Sequence, residues 1–189
     1  MKKKLSEMTN EELWELFPIF LVNHKDEWEN NYKEEEKNLS IGLHSFLIRR
    51  IEHIGSTSIA KIWAKDIVDI LLEIEKEESI ENITEKIISL GYRKMSSTEK
   101  RVSFNKGYTE SGFAEKVFHL HLRFAGDNDE LYFRDYLKEY PQAAKEYEEM
   151  KLSLAKKYQN NRDAYTDAKT EFIKKITDLA KIKYINKYE

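Results

Sequence analysis

Three short stretches carry side chains able to handle a phosphorylated ligand. The first is Gly55-Ser56-Thr57-Ser58, set between apolar runs at residues 46–54 and 67–74. A glycine lets backbone approach a ligand closely, and hydroxyls with free amides at the start of a helix can hold a phosphate. The second is Asp69, a carboxylate inside the second apolar run. Burying such a charge is costly unless a cation, a metal or hydrogen-bond donors compensate it. The third is His119-Leu120-His121. Two residues apart on a strand, the histidines share a face and suit a metal-ligand pair. A phosphate-holding turn and a carboxylate for Mg²⁺ or Mn²⁺ are the parts of phosphoryl or nucleotidyl transfer, where catalysis is mostly positioning and charge neutralisation. Each part also has a plain structural reading. Ser56, Thr57 and Ser58 could cap a helix over residues 59–64, Asp69 could pair with Lys65 or Arg101, and the histidines could be hydrogen-bonded pocket residues without a metal.

Around these stretches lie further charges. Lys65 and Arg101 are the cations nearest the motifs and could neutralise phosphates, as could Lys106 and Arg123. Strand alternation puts Glu73 on the Asp69 face, where it could stand in at the strand end, and Asp66 on the opposite face. Glu52 and His53 also alternate, so that one lines the pocket and the other braces its strand. Arg134-Asp135 reads as an ion pair, with the arginine within reach of the cleft.

The elements that must position these groups follow from periodicity. Thr9 and Glu12 form a capping box for a short helix that stops near Pro18. Residues 19–22 read as a brief strand, and 26–38 as a helix with Trp28 and Tyr32 on one buried edge. The apolar runs at 46–54 and 67–74 read as strands, the second more buried. Ser79 caps a helix with Ile80, Ile83, Ile87 and Leu90 on one face, and Gly91 ends it. Residues 101–106 and 117–124 alternate and are expected to form a hairpin across a loop at 107–116. From Asp129 the pattern is helical: to about Tyr140, from Pro141 to about Tyr158, and from about Asp163 with Ala168, Phe172, Ile176 and Leu179 on one face. The fold class expected is α+β, a mixed β-sheet with helices followed by a C-terminal helical half. It is read as one domain over residues 1–189, with an α/β core at about 18–128 and helices at 129–189.

Composition narrows the partners. Charged residues make up 35% of the 189, yet the net charge is −3, so the charges are mixed and a dedicated nucleic-acid binder is not expected. The chain has no cysteine, which removes disulfides and thiolate zinc sites. Met1-Lys2-Lys3-Lys4 runs into polar residues, and no apolar run reaches the length of a membrane span. The expectation is a soluble cytoplasmic protein with no membrane contact and a small phosphorylated ligand; composition says nothing of its oligomeric state.

Several blocks in order resemble the GrpB family of bacterial proteins. They are IEHIGSTS at 51–58, DIVDIL at 66–71, HLHL at 119–122, FRDYLKEYPQAAKEYEEMK at 133–151 and YTDAKTEFI at 165–173, and the likeness runs from about residue 18 to 176. The resemblance implies a nucleotidyltransferase fold of the polymerase-β type. It also implies a Gly-Ser turn followed by two carboxylates one residue apart and a third carboxylate on a later strand. Gly55 and Ser56 match the turn and Asp69 the first carboxylate, but Leu71 stands where the second would fall. By this resemblance Asp69, His119 and His121 would hold Mg²⁺ or Mn²⁺ and act in catalysis. Gly55, Ser56, Thr57, Ser58, Lys65 and Arg101 would hold a nucleoside triphosphate whose nucleoside monophosphate passes to an acceptor. The alternative is a catalytically degraded module that binds a nucleotide or phosphorylated metabolite.

Overall fold

A computed structural model describes residues 3–189. The helices are α1 (Asn10–Leu16), α2 (Glu27–Gly42), α3 (Ile80–Ser89), α4 (Asp129–Glu139), α5 (Pro141–Lys157), α6 (Arg162–Asp167) and α7 (Thr170–Lys183). The strands are β1 (Ile48–Ile54), β2 (Val68–Ile74), β3 (Arg93–Ser97), β4 (Arg101–Thr109) and β5 (Gly112–Phe124). They form one mixed sheet in the order β1-β2-β5-β4-β3. The central pair, β2 and β5, runs parallel, and every other pairing is antiparallel. The class is α+β, as the sequence pattern predicts.

Alternation along β2 sorts its side chains between two environments. Ile70, Leu72 and Ile74 are fully buried and join Leu120 and Leu122 of β5 and Phe104 of β4 in the main core, under Trp28 and Leu39 of α2 and Ile83 and Ile87 of α3. Asp69, Leu71 and Glu73 face the other way. There α4 covers part of the sheet, with Leu131 packing on Leu71 and Ile54. The helical half is fastened to the segment after β1 through Ile59 and Ile62, which pack with Phe133, Leu137, Tyr147 and Ile176. The sheet thus has one mainly apolar face, against α2 and α3, and one face on which polar groups stand beneath the C-terminal helices.

The expected caps form: Thr9 accepts from the Glu12 amide in a capping box and Ser79 accepts from that of Asn82. Four expectations about elements are corrected. No helix forms over 59–64; Ser56–Ser58 make a single 3-10 turn, after which Ala64 bridges to Val22. That bridge is all that forms of the strand expected at 19–22. The loop expected at 107–116 is strand, because β4 and β5 pair out to Thr109 and Gly112; Gly107, at φ 90°, carries a bulge that redirects the hairpin. β3 gives no sequence signal, since Arg-Lys-Met-Ser-Ser lies exposed on the sheet edge, where no apolar alternation is needed. The helix expected from Asp163 is broken into α6 and α7 at Ala168-Lys169.

Candidate functional site

Gly55 ends β1 with φ 68° and ψ −170°, a backbone shape that L side chains rarely adopt. A Cβ on it would fall 2.4 Å from Asp69 Oδ2, so the carboxylate rests directly against the turn. The turn is braced from behind. His53, buried on the α2 face, stacks on Tyr32 and makes a 3.0 Å hydrogen bond between Nε2 and the Thr57 hydroxyl. The Ser58 hydroxyl donates to the Gly55 carbonyl at 2.7 Å. Of the hydroxyls, Ser56 looks toward the helical half, beside the Tyr147 hydroxyl; burial pushes Tyr147 up to about 12, partly offset by Ser56.

Register brings the histidines to the carboxylate. Asp69 pairs with His119 and Leu71 with His121 across the parallel strands. His119 Nδ1 lies 3.1 Å and His121 Nε2 3.7 Å from Asp69 Oδ1. The His119 ring has partners at both nitrogens. Arg162 Nη2 donates to the Tyr108 hydroxyl at 2.9 Å, and that hydroxyl is 2.8 Å from His119 Nε2. Arginine only donates, so the phenol proton is free for His119 Nε2, and Nδ1–H then donates to Asp69. Burial holds His119 below the ordinary histidine range against the pull of Asp69, consistent with this neutral tautomer. Burial also raises Asp69, but the hydrogen bonds of His119 and His121 outweigh it and keep the carboxylate ionised. About a quarter of the Asp69 side chain remains open, so it lines a cleft rather than a packed core.

The cleft is rich in cations. Burial, with Arg162 and Lys169 nearby, pushes Lys65 down to about 7. Burial pushes Lys169 down to about 8, with Arg162 adding to it and Asp69 opposing. Lys151 behind them is pushed down to about 7, mainly by burial and then by Lys169. Among the described residues Asp69 is the carboxylate felt by both Lys65 and Lys169, and its own close pairs are with the two histidines. Lys65, Lys169 and Arg162 are half-buried, whereas Lys151 is fully buried and donates to the Trp63 carbonyl. Glu148 Oε1 accepts from the Trp63 amide at 2.7 Å, so α5 grips the loop at both of its polar groups. Each lysine lies over an aromatic ring four residues earlier: Lys151 Nζ is 4.7 Å from the Tyr147 centroid and Lys169 Nζ 4.3 Å from that of Tyr165.

Of the residues expected at the site, Gly55, Ser56, Lys65, Asp69, His119 and His121 come together. Thr57 and Ser58 support the turn from behind. Arg101 does not join them. It pairs in register with Arg123, beyond His119 and His121 on β5, and donates to Asp127 at 2.6 Å. Glu73 is likewise occupied at the far end of β2, with Arg50 at 2.5 Å and the Gly126 amide and Asn128 side chain at 3.0 Å each. Asp66 anchors α2 by accepting from Trp28 Nε1 and Lys25 at 2.6 Å each. Arg134 does pair with Asp135, and with Glu52, each at 2.8 Å. Sequence reasoning missed Tyr108, Lys151, Arg162 and Lys169; the available signal was the Tyr-Lys spacing of four in both the 147–151 and 165–169 stretches.

A metal centre does not fit this donor set. Leu71, fully buried, occupies the second carboxylate position, and both nitrogens of His119 are engaged. Among the described residues no group of three or more His, Asp or Glu side chains is placed to hold a metal ion. Lys65 and Lys169 lie near Asp69 instead.

Comparison with known proteins identifies the family and the fold. The GrpB protein family matches residues 18–179. The glutamate-rich protein GrpB of Alkalihalophilus pseudofirmus is 34% identical over 84% of this chain and 93% of its own length. YqkA of Bacillus subtilis, a UPF0157 protein, is 30% identical over 89% of this chain, which spans half of YqkA. The crystal structure of GrpB from Enterococcus faecalis matches with a TM-score of 0.75 at 29% identity, over 87% of this chain and 99% of that one. The Cid1 poly(U) polymerase matches with a TM-score of 0.50 at 13% identity, over 78% of this chain and 45% of that one, a likeness of fold. Among the described residues no helix is long and apolar enough to cross a membrane.

Proposed function

The chain belongs to the GrpB family, and we propose that it binds a nucleotide or other phosphorylated small molecule in the cleft between Gly55-Ser56 and the α5–α7 helices. One observation carries this reading: Lys65, Lys169 and Arg162, with Lys151 behind them, converge on a cleft in which Asp69 is the carboxylate that Lys65 and Lys169 share. Like charges in a poorly solvated site repel one another and depress each other's pKa. A polyphosphate relieves that repulsion and gains charge-assisted hydrogen bonds. Ser56 and the turn amides would receive one phosphate oxygen, Lys65 and Lys169 would neutralise charge, and Asp69, ionised, would set the position of the lysines rather than a metal.

The second reading is nucleotidyl transfer from a nucleoside triphosphate with Mg²⁺ or Mn²⁺. The contact between Gly55 and Asp69 supports it, because such transfer needs a phosphate-holding turn close to a carboxylate. The structurally similar Cid1 polymerase carries MgATP in its complex. With Leu71 in place of the second carboxylate, no transfer step is assigned to this chain.

A thermal-melt panel with inorganic tripolyphosphate and nucleoside triphosphates, each with EDTA and with Mg²⁺, separates the readings. Ligand at 100 times its Kd stabilises by about 2.7 kcal/mol, which for a domain of this size raises Tm by about 5–10 °C. Binding in EDTA supports the cationic cleft. Stabilisation only with Mg²⁺ supports transfer, and none in either condition overturns both.

A further inference from the structure

A cavity of about 480 Å³ lies on the far side of Tyr108 and Arg162 from Asp69, with both residues in its wall. Its other walls are mostly apolar, with Leu13 of α1, Phe17 just after α1, Ile88 of α3 and Tyr92 beside β3, although Arg93 and Lys94 of β3 also line it. This volume is within the range of small-molecule sites. Asn105 is the exception among the deep groups. It is 3% exposed, its Nδ2 is turned to the Met95 sulfur at 2.8 Å, and its Oδ1 has no hydrogen-bond donor. Buried amide oxygens are almost always paired, so this one marks an acceptor held for a donor. Met95, which covers it, is 61% exposed on the sheet edge and unbranched, so it can swing aside.

The cavity continues the site. Asp69 pairs with His119 and His119 with Asn105, so the three stand in one row across β2, β5 and β4. Two strand spacings put Asn105 about 10 Å from Asp69, a distance within one nucleotide. Arg162 serves both compartments: its guanidinium depresses Lys65 on one side and lines the cavity on the other.

We propose that this cavity takes the base of the phosphorylated ligand, a planar heteroaromatic ring with an N–H or amino donor for Asn105 Oδ1, stacked among Phe17, Tyr92 and Tyr108. The proposal rests on the reading of the cationic cleft as a phosphate site, and it names the ligand class as a nucleotide rather than a sugar or simple phosphate ester.

Three probes test it by calorimetry on the full chain: inorganic tripolyphosphate, the common nucleoside triphosphates, and the corresponding nucleosides. Two variants accompany them, Asn105→Leu, which removes the acceptor, and Ile88→Trp, which fills the cavity from a position 46% exposed and outside the phosphate cleft. At least one nucleoside triphosphate should bind tenfold or more tightly than tripolyphosphate. Both variants should erase that advantage and leave tripolyphosphate affinity unchanged. If Asn105→Leu fails to fold, Ile88→Trp decides alone. Triphosphates no tighter than tripolyphosphate, or an advantage that survives Ile88→Trp, overturns the base pocket while the phosphate reading stands. Nucleoside binding that Ile88→Trp abolishes, without any tripolyphosphate binding, keeps the base pocket and sinks the phosphate reading. No binding by any probe sinks both.

Discussion

The Cβ that Gly55 lacks would sit 2.4 Å from Oδ2 of Asp69, closer than such atoms approach in proteins. The turn and the carboxylate are therefore one unit, built from the end of β1 and the start of β2. Gly55→Ala meets both the clash and the strain of φ 68°. The expected loss is about 2–4 kcal/mol, from positive φ and overpacking together. Urea denaturation measures it; a loss under 0.5 kcal/mol would mean that the turn can shift without cost.

Tyr108→Phe removes the hydroxyl between Arg162 and His119. His119 Nε2 then loses its donor, at a cost of about 1–3 kcal/mol. Nitrogen NMR of the ring should report the Nδ1–H tautomer in the wild type and a mixture in the variant. An unchanged tautomer would show that Asp69 alone fixes the ring.

The buried and half-buried lysines give the unliganded protein a signed pH dependence. Lys65 and Lys151 titrate near 7 and Lys169 near 8 in the fold, all below their unfolded range near 10.5. Below about 7 they are charged in both states and the full cost of burial applies. Between 7 and 10.5 the unfolded chain binds more protons, so their part of the stability rises with pH and the cost is gone above 10.5. Polyphosphate affinity moves the opposite way and should fall about tenfold or more between pH 7 and 9 as the cleft loses charge. Calorimetric titrations across that range check the sign, and an affinity that rises with pH would contradict the assignment.

Lys169→Ala and Lys65→Ala should each weaken tripolyphosphate by about tenfold, equivalent to ~1.4 kcal/mol. The apo fold should lose little stability or gain some, since each change removes a repelling charge. Lys151→Ala should behave differently. It breaks the hold on Trp63 and leaves that carbonyl unpaired, so its main effect is a lowered Tm.

Much of the fold was legible because burial on one face imposes a pattern: α3, β2 and the caps at Thr9 and Ser79 announce themselves through apolar spacing and side-chain oxygens. β3 was not, since its side chains are all exposed on the edge. The site divides in the same way. Gly55, Asp69 and the histidines are visible because small or charged residues interrupt apolar strands. Lys151 and Lys169 were hidden, because a lysine in a charged helix, or at a break between two of them, looks solvated until tertiary packing turns it inward. Arg101 misled for the converse reason: being near a motif in sequence does not fix position along a strand, and the register carries it to Asp127.

The most direct test is the affinity of Asp69→Asn for tripolyphosphate in EDTA. The substitution keeps the shape of the side chain and an oxygen for His119 but removes the carboxylate charge from among the cations. Calorimetry should show binding to the wild type without metal and binding to the variant that is at least as tight, because the competing charge is gone. Wild-type binding that requires Mg²⁺ and disappears in Asp69→Asn would contradict the account and make Asp69 a metal ligand.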